Sequence, residues 1–351
     1  AAGTTTPLAT YTSSSGATPH TNPIVLDSSG RVPGGELWLT NSTVYKFALY
    51  DSTNVLIGTY DNITGINASG QQTDAALVTY NEGGAGAVTT TVRAKLQETV
   101  SVMDFGATGN GVTDDTAAIQ AAATASKRLY FPAGTYLCNS ALFNGVPVSQ
   151  GLYWYGEKRG GLDQVDGTVI KYTGSAICFK FQQANGSSDN GAMVFENFTF
   201  EATSATAGMF QFNDPALTPV PTDTGTTPAF IREVRFNGCS FWGAGSATQG
   251  DAIKGVKLFE LVVDESCQFR GWRRGIWLYG CDNNTLSGRY SGNGRNIQIE
   301  SAGTFGNDNL ITARFLGYVS NFGEASYCFY DAGNHTTIIG PDLEPSNSAT
   351  A

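Results

Sequence analysis

Charge is scarce in this sequence, and positive charge scarcer still. Lys, Arg, Asp and Glu together make up 14% of the 351 residues, and Lys+Arg number 20 against Asp+Glu 30, a formal net charge of −10. No basic stripe is available to neutralise phosphates, which excludes a nucleic-acid partner. Histidine is nearly missing. His20 and His335 lie far apart without neighbours that would make a His-based triad or metal site, and both read as surface residues. The six cysteines (Cys138, Cys178, Cys239, Cys267, Cys281 and Cys328) contain no CxxC pair, hence no zinc signature. They read as small buried hydrophobes in a protein assembled in a reducing cytoplasm. No apolar run approaches the roughly 20 residues that span a bilayer, and no signal peptide is visible, so neither membrane insertion nor a cofactor is expected. The chain also begins without Met and stops in mid-pattern at Ser-Asn-Ser-Ala-Thr-Ala, as a portion of a longer polypeptide would.

What is present points one way. Glycine numbers 43 and hydrophobic residues reach 41%, with Thr, Ser and Asn frequent. Such a composition suits an all-β, turn-rich chain. The most informative stretch runs from Val100 to Tyr136. A short apolar strand (Val100, Val102, Phe105) leads into a glycine-rich turn (Gly106, Gly109, Gly111), where positive φ costs least. A helix is predicted over about 114–126, with Thr113 as N-cap, Asp114 and Asp115 in the first turn, and an Ala-rich body. Leu129-Tyr130-Phe131 and Thr135-Tyr136-Leu137 then form strands around the turn Pro132-Ala133-Gly134.

The run DFGATGNGVTDDTAAIQ followed by LYFPAGTY closely resembles the opening segment of pectin-lyase-like right-handed parallel β-helices, in the form common in bacteriophage tailspikes. The resemblance implies a short helix capping the N-terminal end of a solenoid. It says little about reaction, because the same cap precedes lyases, hydrolases and inactive binding proteins.

Ahead of this segment, residues 1–65 read as a small β domain of short runs: 8–12, 23–27, 35–39, 44–50 and 54–60. Tyr45, Phe47 and Leu49 would share one face, and Asp51-Ser-Thr-Asn54 would turn a hairpin. This stretch resembles a module at the virion-proximal end of phage tail fibres and tailspikes, which implies docking to a phage tail or baseplate protein. Residues 66–99 read as a linker and short helical neck, with Val92, Leu96 and Val100 on one stripe. In the resembled family three chains meet there, implying a homotrimer. Residues 100–351 would be the β-helix, incomplete at its C-terminal end.

Within that domain a short motif recurs: Phe198-Thr-Phe200, Cys239-Ser-Phe241, Cys267-Gln-Phe269, Gly288-Arg-Tyr290, Ala313-Arg-Phe315 and Pro341-Asp-Leu343. After the first interval the spacings fit coils of roughly 20–30 residues with loops of variable length. The proline-bearing stretch 212–228 lengthens that first interval and reads as an inserted loop. Stacking the coils would make Phe200, Phe241, Phe269, Tyr290 and Phe315 one inward ladder, and Phe198, Cys239, Cys267, Gly288 and Ala313 a second column.

A further strand per coil (275–279, 296–300, 327–331) places Ile276/Leu278, Ile297/Ile299 and Cys328/Tyr330 inward by alternation. The outward columns would then be Trp277, Gln298, Phe329 and Tyr279, Glu300, Asp331. Aromatics beside carboxylates suit a polysaccharide: ring faces pack on sugar C–H groups and carboxylates accept hydroxyl hydrogen bonds. Trp277, Tyr279, Gln298 and Phe329 are therefore the candidate binding residues, and Glu300 and Asp331 the candidate catalytic pair. A separation of about 5 Å would suit a retaining glycosidase, and roughly 6.5–9.5 Å an inverting one. The equal and plainer reading of these columns is contact between trimer subunits. Arg273, Arg274 and Arg295 lie near this strand without the acidic cluster that a calcium-dependent lyase would need.

The combined expectation is a homotrimeric adhesin of the virion tail that recognises host surface polysaccharide. Alternatives are a polysaccharide depolymerase (endoglycosidase) and a structural tail scaffold carrying another adhesin.

Overall fold

The computed structural model describes residues 1–40, 43–63, 74–148, 151–158, 167–183, 191–213, 230–246, 248–300, 308–315, 327–332, 335–340 and 342–343. The chain divides into two compact units, residues 1–95 and 96–351.

The larger unit is a parallel β-helix. Each coil contributes one strand to each of three sheets, as in Leu152–Gly156, Thr168–Tyr172 and Ile177–Gln183, followed by Met193–Glu196, Thr199–Ala202 and Gly208–Phe212. Among the described residues the first and second sheets hold nine strands each and the third holds seven, the first and last coils having no third-sheet strand described, and every pairing inside the sheets is parallel. Because register in a parallel ladder puts like position over like position, apolar residues two apart form continuous interior columns.

The expected aromatic ladder is one of them. Phe200, Phe241, Phe269, Tyr290 and Phe315 pair in register across the second sheet. The first four rings stack at 5.3, 4.5 and 4.6 Å between centroids, and Phe315 tilts against Tyr290 at 5.6 Å. Register extends the column down through Ile170 to Tyr136, and at the other end the backbone of Phe315 pairs with that of Leu343. Third-sheet rings such as Phe179 and Phe210, stacked at 4.4 Å, fill the space opposite. The second predicted column also lies inside: Phe198, Cys239 and Cys267 are fully buried, and the Cys239 N–H donates to Cys267 Sγ at 3.4 Å. The five described cysteines are free and buried, and burial pushes the Cys138 and Cys281 thiols up to about 12. The side chain of Cys328 lies outside the described residues.

Corners between sheets need left-handed backbone. On entering the first sheet four successive coils place Glu233, Glu260, Asn283 and Asp308 at φ between 54° and 60°. Asn and Asp tolerate this region because their short side chains bond locally. Beside this corner, Asn284 Oδ1 accepts from Leu261 N–H at 2.9 Å and its Nδ2 donates to Asn309 Oδ1 at 2.8 Å, tying three coils together.

The cap is a helix over Thr116–Ala125, which buries Ile119 and Ala122 in the core with Val102 and Leu129. Its N-cap is Asp115 rather than the expected Thr113. The Asp115 carboxylate is turned inward, accepting from the Thr108 and Gly109 N–H groups at 2.7 and 3.1 Å, while Asp114 accepts from Thr116 N–H and Oγ1 at 3.1 and 2.5 Å. The Thr116 hydroxyl bond is the main reason the Asp114 carboxyl is held below its ordinary pKa range. Gly109 has φ 61° beneath the Tyr136 ring, and a Cβ there would lie 3.1 Å from Tyr136 Cζ.

The smaller unit contains an antiparallel hairpin, Tyr45–Tyr50 with Leu56–Ile63. Its turn forms as expected: Asp51 Oδ1 accepts from Thr53 and Val55 N–H at 2.8 and 2.9 Å, with Asn54 at φ 64°. The predicted strands at 8–12, 23–27 and 35–39 do not form as ladders. Tyr11 makes isolated bridges to Pro19 and Trp38 instead, because closely spaced Pro, Gly and Ser break pairing. Tyr45 and Phe47 share a face, with ring centroids 6.2 Å apart, but Leu49 stands exposed. A two-residue pair, Thr79–Tyr80 with Thr90–Thr91, leads into a helix of only Val92–Leu96. The predicted stripe is therefore broken: Leu96 is exposed and Val100 belongs to a strand paired with Leu129. Residues 64–73, which include the start of the linker, and 214–229, which include most of the predicted insertion, lie outside the described residues.

Candidate functional site

The third sheet presents the predicted site. In its strands Asp251–Val256, Arg274–Tyr279 and Arg295–Glu300, Ile253, Ile276 and Ile297 stack inward, while Lys254, Trp277 and Gln298 stack in register facing outward. Tyr279 pairs with Glu300 as expected.

One coil further the expectation fails by a single residue. Phe329 pairs with Ile297, Tyr330 with Gln298, Asp331 with Ile299 and Ala332 with Glu300. Phe329 thus packs against the core instead of facing outward, and Tyr330, expected inside, is 40% exposed in the outer column. The reason is burial: a slip of one residue exchanges every side chain between faces, and this register puts a phenyl ring, not a phenol, over Ile297. Asp331 is accordingly not stacked on Glu300, so the catalytic pair is not formed by adjacent members of one column.

The outer column is held by a polar network. Arg274 and Asp251 form a bidentate pair at 2.6 and 3.0 Å, with each side chain less than a tenth exposed. The Arg274 guanidinium lies 3.8 Å from the Trp277 ring centroid and Lys254 Nζ lies 4.7 Å from it. Trp277 is therefore a half-buried ring already engaged by two cations, not an open platform. Arg295 Nη1 donates to Gln298 Oε1 at 2.6 Å, Gln298 Nε2 donates to Glu300, and the Arg295 guanidinium stands 6.0 Å from the Tyr330 ring. Gln298, expected on the surface, is 3% exposed because it bridges these two charges.

The face so built is a ladder of cations, aromatics and carboxylate running along the coil axis. Such a face can stack on sugar rings and exchange hydrogen bonds with hydroxyls. Sequence reasoning missed Asp251, Lys254 and Tyr330. Lys254 was within its reach, since it occupies the same strand position one coil before Trp277. Among the described residues no three His, Cys, Asp or Glu side chains converge on a possible metal position, and no helix is long and apolar enough to cross a membrane.

A family model described as rhamnogalacturonase A/epimerase, pectate lyase-like, matches residues 99–149. That match falls on the cap and first coil, in agreement with the parallel β-helix topology. No curated protein sequence matches the chain. Among solved structures, tailspike protein 3 of bacteriophage CBA120 is similar over 70% of this chain and 42% of its own, at 13% identity and TM-score 0.40. The pre-mature gene product 12 of bacteriophage phi29 covers 65% of this chain and 35% of its own, at 14% and 0.37. A tailspike variant of E. coli bacteriophage HK620, in complex with a pentasaccharide, covers 70% and 44% at 14% and 0.35. The chain thus spans less than half the length of these proteins.

Proposed function

We propose that this chain is part of a phage tailspike or tail fibre adhesin that binds a host surface polysaccharide along the outer face of its third sheet. The carrying observation is the outward column of Lys254, Trp277, Gln298 and Tyr330, flanked by Arg295 and Glu300 and repeating at coil spacing. A linear glycan lying along the coil axis passes one polar or aromatic position of this column at each coil. Residues 1–65 are proposed to dock to a phage tail or baseplate protein, and the chain to act as a homotrimer on the virion tail.

The test is binding of purified host surface polysaccharide to the trimeric protein. Replacing Tyr330 by Ala, and Arg295 by Ala, is expected to weaken binding by at least about tenfold. Unchanged binding in both variants rejects this face as the recognition surface. Following reducing ends in the same incubation separates adhesin from depolymerase. Release of ends that disappears in Glu300→Gln or Asp331→Asn assigns the proposed acids to catalysis, and intact chains with retained binding assign the face to recognition alone.

A further inference from the structure

The outer face of the first sheet, near the capped end, carries a second group of residues outside the proposed third-sheet surface. Arg128 pairs in register with Tyr153, and Tyr130 with Tyr155; one coil on, Tyr155 pairs with Glu196. Alternation sends Leu129, Trp154 and Phe195 into the core and leaves the three tyrosines outside, each half-buried.

These side chains hold one another in place. Tyr130 and Tyr155 have ring centroids 5.3 Å apart, and Tyr153 and Tyr155 5.4 Å. The Arg128 guanidinium lies 5.1 and 5.6 Å from the Tyr153 and Tyr155 rings. Tyr153 Oη donates to Glu196 Oε2 at 2.5 Å, and Tyr130 Oη donates to Glu157. The bond to Glu157 pushes the Tyr130 phenol up to about 12, and the bond to Glu196 likewise raises Tyr153, so both hydroxyls stay protonated donors at neutral pH. The rings are thereby fixed in orientation before any ligand arrives, which removes the ordering cost that free side chains would impose.

We infer that this strip, Arg128, Tyr130, Tyr153, Tyr155, Glu157 and Glu196, is a second glycan-binding site, taking an uncharged oligosaccharide laid along the coil axis. Three features select that ligand. Each tyrosine is only half-buried, and the solvent-facing part of its ring can pack on sugar C–H groups. Each carboxylate keeps an oxygen beyond the one its tyrosine engages, available to a sugar hydroxyl. Two carboxylates against one guanidinium, on a chain of net charge −10, disfavour a polyanionic ligand. A protein partner fits less well, because a dry interface would strip water from Glu157, Glu196 and Arg128 without supplying hydroxyls in its place.

The experiment screens the whole chain against an array of neutral and acidic bacterial-type oligosaccharides, then titrates a bound neutral one against three variants. Tyr130→Ala/Tyr155→Ala is expected to weaken it at least about tenfold, with the circular dichroism spectrum of the folded protein unchanged. Tyr155→Phe, which keeps the ring, is expected to bind as the parent does, and Tyr330→Ala, whose residue lies on the third-sheet surface, is titrated beside it to tell which face a neutral ligand uses. Absence of any neutral ligand, or neutral binding that survives loss of both tyrosines, overturns the inference. Neutral binding lost only in Tyr330→Ala also overturns it while supporting the third-sheet reading, so the two fail separately.

Discussion

Phe200, Phe241, Phe269, Tyr290 and Phe315 are at most 1% exposed, each packed against a ring of a neighbouring coil, whereas in the N-terminal unit Tyr50, Val55, Leu56, Ile57 and Tyr60 stand 51–64% exposed on one hairpin. The same kinds of side chain have opposite fates because a coil of the solenoid always has a neighbour on which to stack. A two-stranded hairpin has none, and isolated hairpins are marginal in water. The contrast teaches where each unit draws its stability. The β-helix is stabilised by its own repetition, and the apolar hairpin surface is what a contact with another chain would cover.

The largest test of that contrast is Phe269→Ala. It removes the middle of the tightest stacked run, flanked at 4.5 and 4.6 Å, and should cost about 3–5 kcal/mol of β-helix stability in denaturant unfolding. A loss below about 1 kcal/mol would show that the column is not a packed unit. Asp251→Ala probes the outer face in the same way by leaving Arg274 buried and unpaired; about 3 kcal/mol is expected, with partial recovery when Arg274 is also replaced by Met.

Smaller effects belong to the cap. Asp114→Asn, which keeps an acceptor oxygen but loses the charge at the helix N-terminus, should cost about 0.3–1 kcal/mol at neutral pH. The Asp114 carboxyl is depressed in the folded state, so its contribution is full above its unfolded pKa near 4 and is lost as pH falls through the folded value. The gap between parent and Asp114→Asn should therefore close on acidification below about pH 4, and a gap that widened would contradict the assignment. Smallest of all should be Ile57→Ser in the exposed hairpin, within about 0.5 kcal/mol of the parent. If that substitution destabilised the isolated chain as Phe269→Ala does, the distinction between the two units would collapse.

Much of this fold is legible in the amino-acid sequence itself. The cap segment and the recurring aromatic two places after a small or apolar residue depend on local chemistry: glycine for left-handed turns, alanine for the helix, alternation for the strands. They place both inward columns residue by residue, including Gly288 of the second, whose φ of 94° and closeness to Cys267 O leave no room for a Cβ. Alternation likewise places Trp277 over Gln298 and Tyr279 over Glu300. Quantities set between coils are a different matter. The one-residue register at Phe329 follows from which ring buries better on Ile297, across an interval whose loop length hides the phase. The burial of Gln298 follows from two charges on its own strand reaching around it. The tyrosine strip joins Arg128, Tyr153 and Glu196, residues 25 and 43 positions apart, by register and hydrogen bonding. Sequence determines period and face because both are properties of a single strand. Partnership across coils is decided only when the solenoid closes, since it depends on loop lengths that carry no periodic signal.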